Sequence, residues 1–501
     1  MIAGTTLIQD RSLARAPVPN RPPHSDVEAL RLMEAGRHAD ALTVARHAVA
    51  ASAVCSPADG LLATVLLHLG QRDEAEAVVS AAIDRGTGSA DAYDALAFVS
   101  LQLGDHERAN SLYRRAATLN DDSARFWYNL GSSERSFGRL LDAEAACDRA
   151  IALDQCHYQS YLLRSELRAQ SPAANHIPEM ERLLAAPGVT PRALMFLGYA
   201  LGKELDDLGR YDDAFHWYAR AAAARRRNLS YDVATDERKL ARIAEAFAGP
   251  STPMVDPGVE AGRFIFVVGL PRSGTTLLER MLTGLTGVCS NGETENFSRA
   301  LLAAAAADGH DVFARAASAD FARVAREYAK HAGGAAHRKV VEKLPLNYLY
   351  LGAIRRSLPT ATPIVVLREA PDSCFAMYRT LFGEAYPFSY DFSELARYFA
   401  AYMRLLDHWR RLLGNWLVEV TYEDLVRQPA QVGASVARCC GLDWAESAVE
   451  IHRREGISMT ASAAQIRRPI YQSSAGKWRR YERHLAPLVT ALRAQGVAVP
   501  D

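Results

Sequence analysis

Apolar and small residues fall into two regimes along the chain, meeting near residue 250. In the first, small residues return at a fixed long interval on a helical background. Gly36, Gly70, Gly104 and Gly138 stand 34 residues apart, and each opens a helical segment: GRHADAL, GQRDEAE, GDHERAN and GRLLDAE. Five residues after each comes Ala41, Ala75, Ala109 or Ala143, and twelve after it Ala48, Ala82, Ala116 or Ala150. Seven before it the residue is again small: Ala29, Ala63, Ala97 and Gly131. A fifth copy surrounds Gly209, with Gly202, Ala214 and Ala221 in the same slots. This pattern predicts pairs of helices joined by glycine turns, in close contact where side chains are small. Position 172, where the next glycine falls due, lies in AQSPAANH, so the array is interrupted there. In the second regime FIFVVG (264–269), PIVVLR (363–368) and WLVEVTYEDL (416–425) read as buried strands separated by helical stretches. Strands alternating with helices argue for a parallel α/β sheet. Between the regimes AGPSTPMVDPGVEAG (248–262) is dense in Pro and Gly, lacks periodicity and reads as a linker.

A period of 34 is that of tetratricopeptide repeats, which the first half resembles. The resemblance implies an all-α solenoid over 26–247, preceded by a lead at 1–25 that is expected to be disordered. Such an array binds a protein along its concave face. Packing against the next domain or forming a dimer surface are the alternative roles.

Charge and cysteine usage narrow the partners. With 58 basic and 58 acidic residues the formal charge is zero, which argues against a general polyanion-binding surface and predicts no nucleic acid. Any anion site must be local. Seven cysteines, odd in number and without metal spacing, suit reduced thiols in a cytosol, and a cytoplasmic location is expected. The fourteen histidines show no metal-binding spacing, so no metal is expected. No run of 18 apolar residues and no signal-like N-terminus occurs, so no membrane association is expected.

A local anion site is present in the motif GLPRSGTT (269–276), between the strand FIFVVG and a helix. It has both glycines of a nucleotide P-loop, but position 275 is Thr where the lysine belongs, and the basic residue is Arg272. A glycine-rich turn opening a helix still aims backbone N–H groups and positive potential at an oxyanion, and Thr275 and Thr276 can add hydroxyls. The strand PIVVL ends in Arg368 instead of a magnesium-binding aspartate, which suits a second phosphate. These features argue against nucleoside triphosphate hydrolysis or a P-loop kinase.

Residues 263–501 resemble sulfotransferases that use 3′-phosphoadenosine 5′-phosphosulfate (PAPS), most closely the branch with tyrosylprotein sulfotransferases and bacterial tetratricopeptide–sulfotransferase fusions. The fold so implied is a P-loop-like α/β domain with a parallel sheet, joined to the helical half in an α plus α/β chain. The resemblance makes Pro271 to Thr276 the 5′-phosphosulfate loop, with Arg272, Ser273, Gly274, Thr275 and Thr276 as donor-binding residues. Arg368 matches the 3′-phosphate arginine. Tyr422, in YEDL, is expected near the nucleotide, and SAAQIRRPIYQSSAGKWRRY places the family's Ser and Lys at Ser462 and Lys477, with Trp478 following. The family's 3′-phosphate serine is replaced by Ala376, for which Ser373, Arg379 or Thr380 are candidate substitutes.

The same resemblance supplies roles. Lys343, in EKLPLN, is expected to stabilise the leaving group with Arg272, and Ser462 to contact the transferring sulfuryl group. The general base is Glu293 or Glu295, in CSNGETENFS, with Glu295 narrowly favoured; one of the two is expected to cap the following helix. The expected activity is sulfuryl transfer to an acceptor hydroxyl on a peptide, protein or small molecule, with peptide tyrosine as one candidate. The competing function is a catalytically silent nucleotide-binding scaffold acting through the repeats, against which the intact Arg272, Lys343 and both glutamates speak.

Overall fold

The computed structural model describes residues 24–86, 88–249, 258–305, 311–333, 338–454 and 467–500. By contacts the chain divides between residues 169 and 170 into two compact units.

The first unit is a run of helices from His24–Glu34 to Tyr158–Leu167. Gly36, Gly70, Gly104 and Gly138 each close a helix at φ between +73° and +88°, a left-handed turn that a side chain would strain. The small positions are packing positions: Ala41, Ala63, Ala75, Ala97, Ala109 and Ala143 are all fully buried. A Cβ at Gly131 would lie 3.2 Å from the Ala143 carbonyl oxygen, which explains why that slot holds glycine. At the twelfth position Ala82, Ala116 and Ala150 are buried, while Ala48 is half-buried and Ala45 takes its place.

The division between units falls at the interruption in the repeat. Ser171 and Ala174 form an isolated antiparallel bridge there, and the helices that follow belong by contacts to the unit with the sheet. The fifth copy forms the helix pair Pro191–Asp207 and Tyr211–Arg227, so close that a Cβ at Gly202 would lie 2.6 Å from the Tyr218 ring. Its outer residues hold the sheet domain. Tyr199 donates to the Tyr378 carbonyl at 3.1 Å, and Arg226 pairs with Glu394 at 2.7 Å.

Five parallel strands form the sheet in the order β2-β3-β1-β4-β5: β1 Phe264–Gly269, β2 Val288–Ser290, β3 Lys339–Glu342, β4 Thr362–Leu367 and β5 Val418–Thr421. β1 is buried throughout, as its unbroken apolar run predicts for a central parallel strand. β5 is shorter than the expected 416–425, because the Thr421 side chain caps a helix, Tyr422–Arg427, by accepting from the Asp424 amide. Strand order reverses at β1, so the crevice beyond the carboxyl ends of β1, β3 and β4 is where a ligand belongs. The expected α plus α/β architecture is what the chain forms. All seven cysteines are free thiols, and among the described residues no helix is long and apolar enough to cross a membrane.

Candidate active site

The turn after β1 is built for close approach. Arg272 sits at φ +66°, a left-handed conformation costing a non-glycine residue about 1–2 kcal/mol. Such strain persists where surrounding structure enforces it, commonly at ligand sites. Gly274, at φ +104°, must be glycine: a Cβ there would lie 2.5 Å from Cδ2 of Tyr422. The turn delivers the helix Thr275–Leu282, with Thr275 and Thr276 buried at its start. Beside them the Ser273 hydroxyl is buried and has no hydrogen-bond partner, an atom that an incoming oxyanion would satisfy.

Arg368, immediately after β4, reaches this turn. Its Nη1 donates to the Arg272 carbonyl at 3.0 Å, its Nη2 donates to the Ser474 carbonyl, and its guanidinium lies 4.6 Å from the Tyr422 ring. Arg272, Gly274, Arg368 and Tyr422 therefore come together. Sequence reasoning missed Asp372, a fully buried acid one turn beyond Arg368. Asp372 accepts from the Trp478 amide at 2.9 Å and from the Gly476 amide, so it fixes the C-terminal segment against the Arg368 strand end.

Lys477 and Trp478 lie in the segment that Asp372 holds. Trp478 is buried, with its indole N–H unpartnered. Lys477 forms an ion pair with Asp206, at the end of the helix Pro191–Asp207. Arg379 joins the same carboxylate at 3.2 Å, and the Tyr481 hydroxyl donates to it at 2.5 Å. Burial alone would lift the Asp206 carboxyl, but Arg379 and Lys477 beside it hold it below its ordinary value. Of the other candidates for the missing serine, Ser373 is buried and the Thr380 hydroxyl donates to the Ala376 carbonyl at 2.8 Å. Ser462 lies outside the described residues.

A second group of side chains converges beyond β3. Lys343 is fully buried and pairs with Glu293 and, at 3.6 Å, with Glu279. Glu279 lies one turn into the helix that the phosphate-loop motif opens, so Lys343 links that helix to the segment after β2. Glu295 occupies the N-cap position of the helix Asn296–Ala304 without a side-chain capping bond, and its carboxylate faces Arg299 at 3.5 Å. It is thus Glu293, not Glu295, that meets Lys343. Tyr386 is one of two non-glycine residues in the left-handed region among the described residues, at φ +54°. Burial, then the Glu293 charge, push its hydroxyl far above its ordinary value.

Among the described residues Glu369, Asp372 and Glu423 bring carboxylate oxygens within 4.8 Å of one another. Two of the three already serve backbone N–H groups: Asp372 as above, and Glu423 by accepting from the Glu369 amide at 3.1 Å. The whole arrangement offers a strained glycine turn opening a helix, an arginine clamped to it, and a buried lysine paired with a half-exposed carboxylate.

Residues 264–446 match the model of the Sulfotransferase family, and residues 32–97 and 96–155 match tetratricopeptide-repeat models. An N-terminal tetratricopeptide-repeat region is therefore joined to a C-terminal sulfotransferase-family domain. A protein of Aquifex aeolicus (strain VF5), described as uncharacterized, is 26% identical over 409 residues, covering 75% of this chain and 52% of its own length. The chain spans about half the length of that curated relative. Among solved structures, a sulfotransferase domain from the curacin biosynthetic pathway is 18% identical, covering 47% of this chain and 98% of that one, with a TM-score of 0.33. The sulfotransferase domain of the Synechococcus PCC 7002 olefin synthase is 19% identical, covering 47% and 95%, also at 0.33.

Proposed function

We propose that this chain transfers the sulfuryl group of PAPS to an acceptor hydroxyl, and that Glu293 and Lys343 carry the chemistry. The observation that supports this most is the buried Lys343, which joins Glu293 to Glu279 of the phosphate-loop helix. Glu293 takes the proton of the acceptor hydroxyl while the acceptor oxygen forms its bond to sulfur. The bond from sulfur to the oxygen bridging to the 5′-phosphate breaks, and Lys343 and Arg272 neutralise the charge that collects there. Ser273, whose hydroxyl is buried without a partner, and Thr275 and Thr276 at the helix start suit the phosphosulfate end. Arg368, pinned to the Arg272 carbonyl and stacked near Tyr422, suits the 3′-phosphate end. The donor carries its own leaving group, so the scheme uses no metal.

The acceptor in this reading is a hydroxylated peptide, protein or small molecule, peptide tyrosine included, and the repeats over 24–169 recruit it or a partner protein along their concave face. The test is transfer of labelled sulfuryl from PAPS to a peptide and small-alcohol library in metal-free buffer, using the full chain. Glu293→Gln and Lys343→Ala should each lower turnover by about 10²-fold or more while still binding adenosine 3′,5′-bisphosphate. Glu295→Gln should stay close to wild type. Transfer that survives intact in Glu293→Gln, or failure of the wild-type chain to bind the bisphosphate, refutes the scheme.

A further inference from the structure

Lys343 follows directly after a second acid that neither motif nor spacing marked. Glu342, the last residue of β3, is fully buried. Its register partner is Phe266 on β1, so an ionisable group stands where the strand pattern calls for an apolar one. Three donors meet its carboxylate. Asn291 Nδ2 lies 3.0 Å from one oxygen, the Thr294 hydroxyl 2.6 Å from the other, and the Tyr328 hydroxyl 3.3 Å away. Asn291 and Thr294 flank Glu293 in the segment after β2. The backbone adds two anchors: the Asn291 amide donates to the Val341 carbonyl at 2.9 Å and the Lys343 amide to the Gly292 carbonyl at 3.2 Å.

Side chains of successive residues on a strand point to opposite faces. At the end of β3 that alternation sends Lys343 to Glu293 itself, and Glu342 to the residues either side of it. A buried acid left without partners would be costly, and this one has three donors, two of them from residues that frame one position.

We propose that Glu342 is a positioning residue for the transfer reaction: its buried carboxylate gathers Asn291 and Thr294 so that Glu293, between them, is held against Lys343. The inference rests on the reading of Glu293 as general base. Displacing a base by about 1 Å costs on the order of 10²-fold in rate without touching donor binding. Glu342→Gln keeps the shape but replaces one accepting oxygen by an N–H₂ group, so it can no longer accept from Asn291 on one oxygen and from Thr294 on the other.

The experiment compares Glu342→Gln, Thr294→Val, Glu293→Gln and the double variant Glu293→Gln with Glu342→Gln, in the full chain. Turnover with PAPS and affinity for adenosine 3′,5′-bisphosphate are both measured. Expected is a kcat lower by about 10²-fold in Glu342→Gln and about tenfold in Thr294→Val, with bisphosphate affinity within about twofold of wild type. Glu342→Gln should add nothing to the loss already present in Glu293→Gln. The proposal is overturned if Glu342→Gln turns over within about threefold of wild type while Glu293→Gln is inactive, or if its bisphosphate affinity falls in step with kcat. A fully active Glu293→Gln instead sinks the base assignment on which it rests. Should Glu342→Gln fail to fold, Thr294→Val decides: it leaves the buried acid in place, and an unchanged kcat there overturns the proposal.

Discussion

Asp206 belongs to the repeat pattern by sequence, yet its carboxylate serves the sheet domain, and its removal has a size that can be worked out. Its side chain is 4% exposed and is shared by Lys477, Arg379 and the Tyr481 hydroxyl. Asp206→Ala leaves two largely buried cations without the carboxylate they share. Breaking a buried pair from one side costs about 3–5 kcal/mol. A unit spanning residues 170–501 has an unfolding entropy of roughly 0.7 kcal/mol per degree, so its thermal transition should fall by about 4–7 °C. Asp207 next to it is the control: it pairs with Lys203 at 2.8 Å near the surface and accepts from the Gln170 amide, so Asp207→Ala should cost about 1 kcal/mol. Because Asp206 titrates below its ordinary value in the folded chain, its contribution is complete above that ordinary value. It is lost as pH falls through the folded value. Calorimetry of both variants at pH 7.5 and at about pH 2, well below the ordinary carboxyl value, tests this. Equal shifts for Asp206→Ala and Asp207→Ala at pH 7.5 would refute the buried-anchor argument, and so would an Asp206→Ala deficit that persists undiminished in acid.

Two more outcomes follow from single positions. Gly274→Ala forces a Cβ at φ +104° into Tyr422, so affinity for adenosine 3′,5′-bisphosphate should drop by about tenfold or more; titration calorimetry showing wild-type affinity would contradict it. Burial raises the Glu342 carboxyl from an ordinary 4.5 to about 7, against the lowering pull of Thr294, Asn291 and Tyr328. A raised folded value means stability that is full below the ordinary value and lost as pH rises through about 7, on the order of 3 kcal/mol in all. The permanently neutral Glu342→Gln should escape that loss and gain roughly 4 °C on wild type between pH 4 and pH 9; a constant difference across that range would refute it.

What could be read in the sequence was whatever repeats or runs. The glycine turns and small packing positions are visible because each recurs, and FIFVVG is visible because a central parallel strand is apolar on both faces. VCS and KVVE became β2 and β3 without being expected, since three or four residues are too few to show a period. The choice between Glu293 and Glu295 could not be made from spacing, because the two stand two residues apart in one turn. Only the position of Lys343, about fifty residues later, separates them. Glu342 offered one signal that could have been used: a Glu-Lys pair closing a Val-Val strand, at the strand end where α/β sheets keep their polar chemistry.

The fifth repeat shows why a period does not fix a domain. Gly202, Ala214 and Ala221 specify how two helices pack on each other, as the equivalent positions do in the earlier copies apart from Ala48. What the pair then packs against is decided by residues that the period leaves free. In the fifth copy these are Tyr199, Asp206 and Arg225. Tyr199 bonds the Tyr378 carbonyl and Asp206 pairs with Lys477, while Arg225 donates to the Gly383 carbonyl at 2.5 Å and pairs with Glu384 at 2.7 Å. Arg225 thereby holds the loop that carries the strained Tyr386, whose hydroxyl feels the charge of Glu293. A helix pair written in the grammar of a binding array thus reaches the two loops bordering the candidate site. Its buried Asp206 and Arg225 make sense only as parts of the domain they hold, because an array that merely recruited a partner would have no use for a buried acid and a buried arginine aimed at the sheet domain's own backbone and side chains.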